Sequence, residues 1–409
     1  MLVGSHTAGA RGRLARLLPG RLSERDAQGI ATQRVVLPGP HARAQDLHDL
    51  SQADGRQRAA RASARRAGAG GTRGRGALGA TPMNPPPTTL IAADVGVALA
   101  AALRAVHGAD GTVETWSAHS LSKRGRHRVV RYDVQARMPG GAEVQHHQWV
   151  GKFYERDEDA CGVATTLREL TASGCGARGG FVVPRVLAYH GPRGLLLLSH
   201  ESGESVVKTI AAEGAHVLAA IGRALAILHA APVMPATVTG PAAVLADLQR
   251  RIVELCGRFP AEAASLQRWR VRLEREAAPP PTTSSFLHGD LGLVQLRWQA
   301  GTIVFLDFDD CTRGDPALDL GNLLTQLRRL TLRKPGKLPD FVAARATILD
   351  AYQRSSPRDP GLAPRVAWYE QIALVRKIHS LTFDRTRHPE ADAIQQRQGE
   401  AIHLLASVL

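Results

Sequence analysis

Four aspartates with the potential to do chemistry lie close together between residues 286 and 320, in the stretch FLHGDLGLVQLRWQAGTIVFLDFDDCTRGDPALDL. They are Asp290, Asp307, Asp315 and Asp319. An amide, Gln295, follows Asp290 by five residues and opens an alternating segment. The alternation, the Ala300-Gly301 turn and the apolar run 302–306 together predict a β-hairpin. Because a hairpin returns the chain to its starting end, we expect Asp307 to lie near Asp290 and Gln295.

Carboxylate and amide oxygens at one end of a hairpin suit Mg²⁺, a hard ion that prefers oxygen ligands and leaves positions open for phosphate oxygens. If Gln295 and Asp307 hold this ion, Asp290 is available to accept a proton from an attacking hydroxyl group. Phosphoryl transfer needs such a division between a base and a charge-neutralising metal. The segment therefore predicts phosphoryl-transfer chemistry.

The same residues carry a family resemblance. The HGD triplet, the amide five residues later, the strand ending in Asp307 and the run from Gly314 to Leu320 resemble the aminoglycoside phosphotransferase and choline kinase family. These are small-molecule kinases of the protein-kinase-like fold. The family usually has Asn at the amide position, where this chain has Gln295. Gln offers the same carbonyl oxygen on a side chain one methylene longer.

The resemblance implies ATP and Mg²⁺ as cofactors and assigns roles in the segment. Asp290 is implied as the catalytic base, and Gln295 and Asp307 as the metal ligands. Supporting roles fall to His288 and to Asp309, as an auxiliary for metal or substrate. Asp319 is implied to brace the catalytic loop by hydrogen bonds, although an ordinary helix start would also explain an Asp there.

A lysine in the otherwise apolar strand that begins near His147 needs a partner. This residue, Lys152, matches the family lysine that grips the ATP α- and β-phosphates. Glu169, in the helical stretch 162–172, is the expected ion-pair partner, with Asp157 and Glu158 as competitors. The strands 115–122 and 129–138 precede it. The basic loop between them, 123–128, predicts either phosphate contacts or an exposed hairpin turn.

Two further regions carry weaker indications. Residues 199–204 resemble the family's hinge, which makes Ser199 and Glu201 candidate nucleotide contacts. The long amphipathic helix predicted over 211–230 ends at His229, and we expect a packed histidine there rather than a catalytic one.

The predicted fold is α+β and two-lobed, of the protein-kinase-like type. Residues 83–203 are expected to form a nucleotide-binding lobe with an antiparallel sheet plus a helix. Residues 204–409 are expected to form a mostly helical lobe that carries the catalytic hairpin and binds the acceptor. Residues 1–82, rich in Arg, Gly and Ala, predict a disordered extension; their charge alone is weak support for nucleic-acid binding.

Composition limits the classes of protein that the sequence can encode. The sequence contains no apolar run of about 18 residues, so we expect no membrane span. The four cysteines show no paired spacing, which argues against a zinc site or disulfides and favours the cytoplasm.

The predicted function is phosphoryl transfer from ATP to a hydroxyl of a sugar, amino alcohol, aminoglycoside or other small metabolite. The alternative is a weakly active nucleotide-binding regulator. Residues 325–409 hold 14 Lys and Arg against 8 Asp and Glu, which favours a neutral or anionic acceptor.

Overall fold

The structure is a computed structural model that describes residues 33–36, 92–108, 111–122, 127–141, 143–174, 180–191, 194–276, 284–333, 336, 338–384 and 391–406. Its first half contains a six-stranded antiparallel sheet in the order β1-β2-β3-β4-β7-β6. The strands are β1 Gln33–Val36, β2 Thr112–Ser122, β3 Arg128–Arg137, β4 Val144–Phe153, β6 Val186–His190 and β7 Leu195–Ser199. Lys152 lies next to last in β4, where it pairs with Val129 on one side and Leu196 on the other.

Alternation of side chains along β3 explains why this sheet has one covered face. Val130, Tyr132, Val134 and Ala136 are buried, and their neighbours are less so. Helix α1, Ala92–His107, packs its apolar side against the same cluster through residues such as Leu99. The run of four leucines in β7 is buried on both faces of the strand.

A proline divides the segment 181–190 into two short strands. They are β5 Phe181–Val182 and β6 Val186–His190, on either side of Pro184. Proline has no N–H to donate to a sheet ladder, which accounts for the break. The two pieces join different sheets, because β5 pairs in parallel with the second strand of the predicted hairpin while β6 pairs with β7.

Helix α2, Asp157–Ala172, lies between β4 and β5 in the first half of the chain. Helices dominate the second half. Their bounds are α3 Val206–Glu213, α4 Ala215–His229, α5 Pro241–Arg258, α6 Ala263–Arg275, α7 Ala317–Arg333, α8 Phe341–Ser355, α9 Leu362–Phe383 and α10 Ala391–Ala406. The helix predicted over 211–230 is divided at Gly214, whose φ of 59° ends one helix and redirects the chain into the next. Helix α10 has no counterpart among the predicted elements.

The predicted hairpin is confirmed. A 3₁₀ turn, Leu293–Gln295, leads into β11 Leu296–Gln299, which pairs with β12 Thr302–Phe305. β8 Glu204–Ser205 and β5 complete this four-stranded sheet. In a second small sheet, β13 Thr312–Gly314 is the central strand and pairs with β10 Ser285–Leu287 and with β9 Val238–Thr239. The two sheets position the residues before and after the hairpin.

The predicted α+β, two-lobed fold class is confirmed by this arrangement of an antiparallel sheet with a helix and a largely helical second half. The extension over residues 1–82 lies outside the described residues except for β1, so its predicted disorder stays a prediction. Among the described helices, none is both long enough and apolar enough to cross a membrane. The described cysteines are free thiols, and Cys161 is exposed.

Candidate active site

A tight loop carries the HGD triplet out of β10. His288 is completely buried, and its Nε2 lies 2.8 Å from the carbonyl oxygen of Leu306, at the end of the hairpin. Gly289 has a φ of +87°, and a Cβ at this position would lie 1.9 Å from the carbonyl oxygen of Asp310. Only glycine fits this contact, so the loop presses closely on the turn after the hairpin. Asp290 follows and is exposed at the surface of a cleft.

Asp319, in the first turn of α7, fixes the backbone of this loop by hydrogen bonds. It is fully buried and accepts hydrogen bonds from the backbone N–H groups of His288 (2.7 Å) and Gly289 (2.9 Å). His229, at the end of α4, places Nε2 3.2 Å from the same carboxylate, and its Nδ1 lies 2.9 Å from the Tyr352 hydroxyl. Burial alone would raise the pKa of Asp319, but its hydrogen bond and charge interaction with His229, with a smaller contribution from His288, lower it. An ionised carboxylate therefore fixes the loop.

Lys152 joins the two halves of the molecule through a pair of carboxylates. Its Nζ lies 2.7 Å from Oδ1 of Asp307, and 2.7 and 2.8 Å from the two oxygens of Asp309. The Tyr154 hydroxyl donates to Asp309 at 2.7 Å, and His127 lies 3.5 Å from Asp309. The Asp307 side chain remains half exposed, whereas that of Asp309 is only 12% exposed.

Opposite charges shift the pKa values in this cluster. Burial lowers the pKa of Lys152, but the charges of Asp307 and Asp309 outweigh it and the net shift is upward. Burial raises the pKa of the Asp307 carboxyl, but the charge and hydrogen bond of the Lys152 ammonium outweigh burial, and the net shift of this pKa is downward. Burial and the negative charge of Asp309 raise the pKa of the Tyr154 hydroxyl. The shifts therefore favour a charged Lys152 ammonium, an ionised Asp307 carboxylate and a neutral Tyr154 phenol.

The predicted pairing of Lys152 with Glu169 is wrong. Helix α2 buries the stripe formed by Ala160, Val163, Ala164, Leu167 and Leu170, and Glu169 lies on its exposed side. The inward-facing polar residue of α2 is Thr166, which contacts the Cys311 thiol at 3.6 Å. The competitors Asp157 and Glu158 are also exposed.

Gln295 presents an oxygen that fits a cation. The backbone N–H of Leu306 donates to the Gln295 carbonyl at 2.9 Å, which keeps Gln295 close to the residue preceding Asp307. Its side-chain Oε1 is buried, and no donor from the described residues reaches it. A buried acceptor without a partner is costly unless an ion or water satisfies it. The described residues include no cluster of three or more His, Cys, Asp or Glu side chains arranged to hold a metal.

Ser199 and Glu201 lie together at the end of β7, but their side chains contact the protein itself. The Ser199 hydroxyl accepts a hydrogen bond from the backbone N–H of Arg185 at 2.7 Å and donates to the Glu201 carboxylate. These bonds support the entry into β6. A nucleotide contact by either residue stays a prediction, as does one by loop residues 123–126, which lie outside the described residues.

A cleft of about 970 Å³ opens in front of the HGD loop. Asp290, Gln295, Asp309 and Asp310 line the part of the cleft next to the HGD loop and the hairpin, which we call its inner end. Helices α5, α7, α9 and α10 supply the rest of its lining, which we call the outer wall. The volume is in the range of small-molecule binding sites.

Several residues of the site were not identified as such from sequence. Tyr154 and His127 contact Asp309, and Asn322 donates to the carbonyl oxygen of Gly289 at 3.3 Å. His229 is packed, as expected, but it also contacts the loop-bracing carboxylate. A polar residue one turn after Asp319 on the same helix was the available signal for Asn322.

Residues 140–365 match the model of the APH phosphotransferase enzyme family. Solved structures resemble the chain at low identity. One is a macrolide 2′-phosphotransferase from Brachybacterium faecium (19% identity, 73% of this chain and 96% of that chain, TM-score 0.44). Another is a choline/ethanolamine kinase family protein from Mesorhizobium loti (17%, 78% and 99%, TM-score 0.47). A third is an aminoglycoside phosphotransferase in complex with ADP and hygromycin B (16%, 71% and 93%, TM-score 0.48).

Comparison with curated protein sequences gave no match. The family model nevertheless spans more than half of the 409 residues, and the matched region contains the lysine strand, the HGD loop, the hairpin and the bracing Asp319. The chain therefore belongs to the phosphotransferase enzyme family.

Proposed function

We propose that the protein transfers the γ-phosphoryl group of ATP to a hydroxyl group of a small molecule. Family membership supports a phosphotransferase. The observation that carries the finer proposal is the position of Asp290 on a loop fixed by Asp319, at the inner end of a cleft of about 970 Å³. A carboxylate on a fixed loop at the inner end of a small-molecule cleft suits a base that meets an acceptor hydroxyl.

In this proposal Asp290 orients the acceptor hydroxyl and accepts its proton as the new O–P bond forms, while the bond between the γ-phosphorus and the bridging oxygen breaks and ADP leaves. The Asp290 side chain is exposed, so an acceptor in the cleft can reach it. Asp319 acts on Asp290 through the backbone of His288 and Gly289, so it is a positioning residue. Lys152 would bind the nucleotide phosphates, in exchange for part of its contact with Asp307 and Asp309.

Gln295 and Asp307 are the residues that would hold Mg²⁺. The unsatisfied Oε1 of Gln295 and the half-exposed carboxylate of Asp307 are both hard oxygen donors, which fit this ion. When bound, Mg²⁺ would neutralise negative charge on the nucleotide phosphates. Asp309 is held by Lys152 and Tyr154, which supports an auxiliary role.

The test is ATP-to-ADP conversion with Mg²⁺ against a panel of sugars, amino alcohols, hydroxy acids, sugar phosphates and aminoglycosides. Acceptor-dependent turnover should fall about 10²- to 10⁴-fold in Asp290→Asn, because that change removes the proposed base. Asp350→Asn, an exposed aspartate of α8, is the matched control and should retain the full rate. Nucleotide binding without turnover on any acceptor, identical in wild type and Asp290→Asn, would contradict the transferase and favour a nucleotide-binding regulator.

A further inference from the structure

The cleft has an uneven distribution of charge. Its outer, helical wall presents six cationic side chains: Arg251, Arg329, Arg333, Arg376, Lys377 and Arg397. The carboxylates among the lining residues of the same helices are Asp247 and Glu400, so these helices contribute an excess of four positive charges. The carboxylates of Asp290, Asp309 and Asp310 lie at the inner end.

Each carboxylate of the helical wall is shared between two of its arginines. Asp247 accepts from Arg251 at 2.8 Å and from Arg376 at 3.0 Å. Glu400 pairs with Arg329 through both of its oxygens, and Arg333 lies 4.0 Å from it. One carboxylate cannot neutralise two guanidinium groups, so each of these clusters retains positive charge.

Arg333 and Arg397 are the members best placed to receive a ligand. Arg333 has a side chain that is 44% exposed and only a distant contact with Glu400. Arg397, one turn before Glu400 on α10, donates to the backbone carbonyl oxygen of Ser380 at 2.7 Å, which is a neutral acceptor. Both side chains line the same cleft as Glu400, and neither has a close carboxylate partner among these contacts, so both keep charge for an incoming anion.

We propose that the phosphate acceptor is a small hydroxylated compound that carries a carboxylate or phosphate group, which binds at Arg333 and Arg397. The inference rests on the proposed function, since it takes the cleft in front of Asp290 as the acceptor site. The anion would pair with the helical wall while a hydroxyl of the same molecule faces Asp290. A polycationic acceptor would meet repulsion at this wall.

Direct binding tests the inference without relying on turnover. The probes are inorganic phosphate and a series that shares one skeleton, namely glucose, glucosamine, gluconate and glucose 6-phosphate, with kanamycin as a polycation. Calorimetry on the full chain should show at least tenfold tighter binding of an anionic member than of glucose, weakened by added salt. The double variant Arg333→Gln/Arg397→Gln should lose about tenfold or more of that affinity.

Arg250→Gln is the matched control, because Arg250 also pairs with Asp247 at 2.7 Å but does not line the cleft. It should bind the anions within about twofold of wild type. Equal binding of glucose and its anionic relatives, tighter salt-sensitive binding of kanamycin, or no anion binding at all, inorganic phosphate included, would overturn the inference.

The two proposals fail in different ways. Turnover of glucosamine or kanamycin that depends on Asp290 would preserve the transferase and overturn the anionic acceptor. Selective anion binding that is lost in the double variant, without Asp290-dependent turnover on any acceptor, would preserve the anion site and contradict the transferase.

Discussion

Asp319 and the pair Asp307 and Asp309 lie within a dozen residues of one another, yet their surroundings differ. Asp319 has no solvent exposure, and its oxygens accept from two backbone N–H groups and contact His229. The Asp307 side chain is 50% exposed, and it accepts a hydrogen bond from the ammonium group of Lys152, at the end of a long side chain. The first carboxylate is bonded within the protein interior, whereas the second pairs with a lysine and stays half exposed.

This contrast separates positioning from binding. A buried, fully bonded carboxylate stabilises one loop conformation, and removing it leaves several polar groups unpaired. A partly exposed pair of a carboxylate and a lysine can rearrange at a lower cost. The carboxylate then has its negative charge for a metal ion, and the lysine has its positive charge for a phosphate group. Changes at Asp319 should therefore affect folding and catalysis together, and changes at the Lys152 cluster should affect nucleotide binding above all.

The largest effect is expected for Asp319→Ala. The substitution leaves two backbone N–H groups and His229 without their buried acceptor, so the free energy of unfolding should fall by about 3–5 kcal/mol. Urea denaturation measures this directly. Asp350→Ala, on the exposed side of α8, should stay within about 0.5 kcal/mol of wild type. A cost below about 1 kcal/mol for Asp319→Ala would contradict the bracing role.

Acidification sharpens the same point. The pKa of Asp319 lies below its ordinary value of 3.8 in the folded protein. Its ionised form therefore contributes stability that is fully present above pH 3.8 and is lost as the pH falls through the lower folded value. Over that interval wild type should lose stability more steeply than Asp319→Asn, as measured by urea midpoints at each pH. Parallel curves would argue against an ionised brace.

An intermediate effect is expected for Lys152→Met. Loss of a charge-assisted contact with the phosphates should reduce kcat/KM for ATP about 10- to 100-fold. The free energy of unfolding should fall by less than in Asp319→Ala, because Asp307 is half exposed and Asp309 keeps the hydrogen bond from the Tyr154 hydroxyl. Lys208→Met, at an exposed position of α3, is the matched control. A stability loss larger than that of Asp319→Ala would reverse the comparison.

The smallest effect is expected for Glu169→Gln. Because Glu169 lies on the exposed side of α2 and Lys152 pairs with Asp307 and Asp309, the KM for ATP should be unchanged within about twofold. Steady-state kinetics beside Lys152→Met measures the difference. A rise in KM like that of Lys152→Met would restore Glu169 as the partner of the lysine.

The hairpin could be predicted from sequence because its determinants are local. Ala300 and Gly301 both have positive φ, 46° and 86°, as a two-residue hairpin turn requires. The strands on either side pair in register from Leu296 opposite Phe305 to Gln299 opposite Thr302. Alternation and turn composition were therefore sufficient to predict that Gln295 and Asp307 lie at the same end of the hairpin.

The partners of Lys152 could not be predicted in the same way. Asp307 and Asp309 lie 155 and 157 residues away in the chain, so only the packing of the two halves brings them together. The error on Glu169 was avoidable, however. The apolar stripe of α2 recurs at helical spacing and already places position 169 on the opposite side.

The charge of the cleft wall could be predicted only in part. The excess of Lys and Arg after residue 325 was visible in the sequence, but the contribution of α5 through Arg251 and the closing of the wall by α10 were not. Helix α10 is polar on much of its surface, which weakens the periodic signal that would have identified it.

Calorimetric titration of ADP, with and without Mg²⁺, tests the central claim most directly: Asp307 belongs to an exchangeable binding site, and Asp290 does not. Wild type and Asp290→Asn should both bind ADP, more tightly with Mg²⁺ than with a chelator. Asp307→Asn should lose the Mg²⁺-dependent gain, because the change removes the charge of a proposed ligand. Equal ADP affinity in Asp307→Asn and wild type, unaffected by Mg²⁺, would contradict the account.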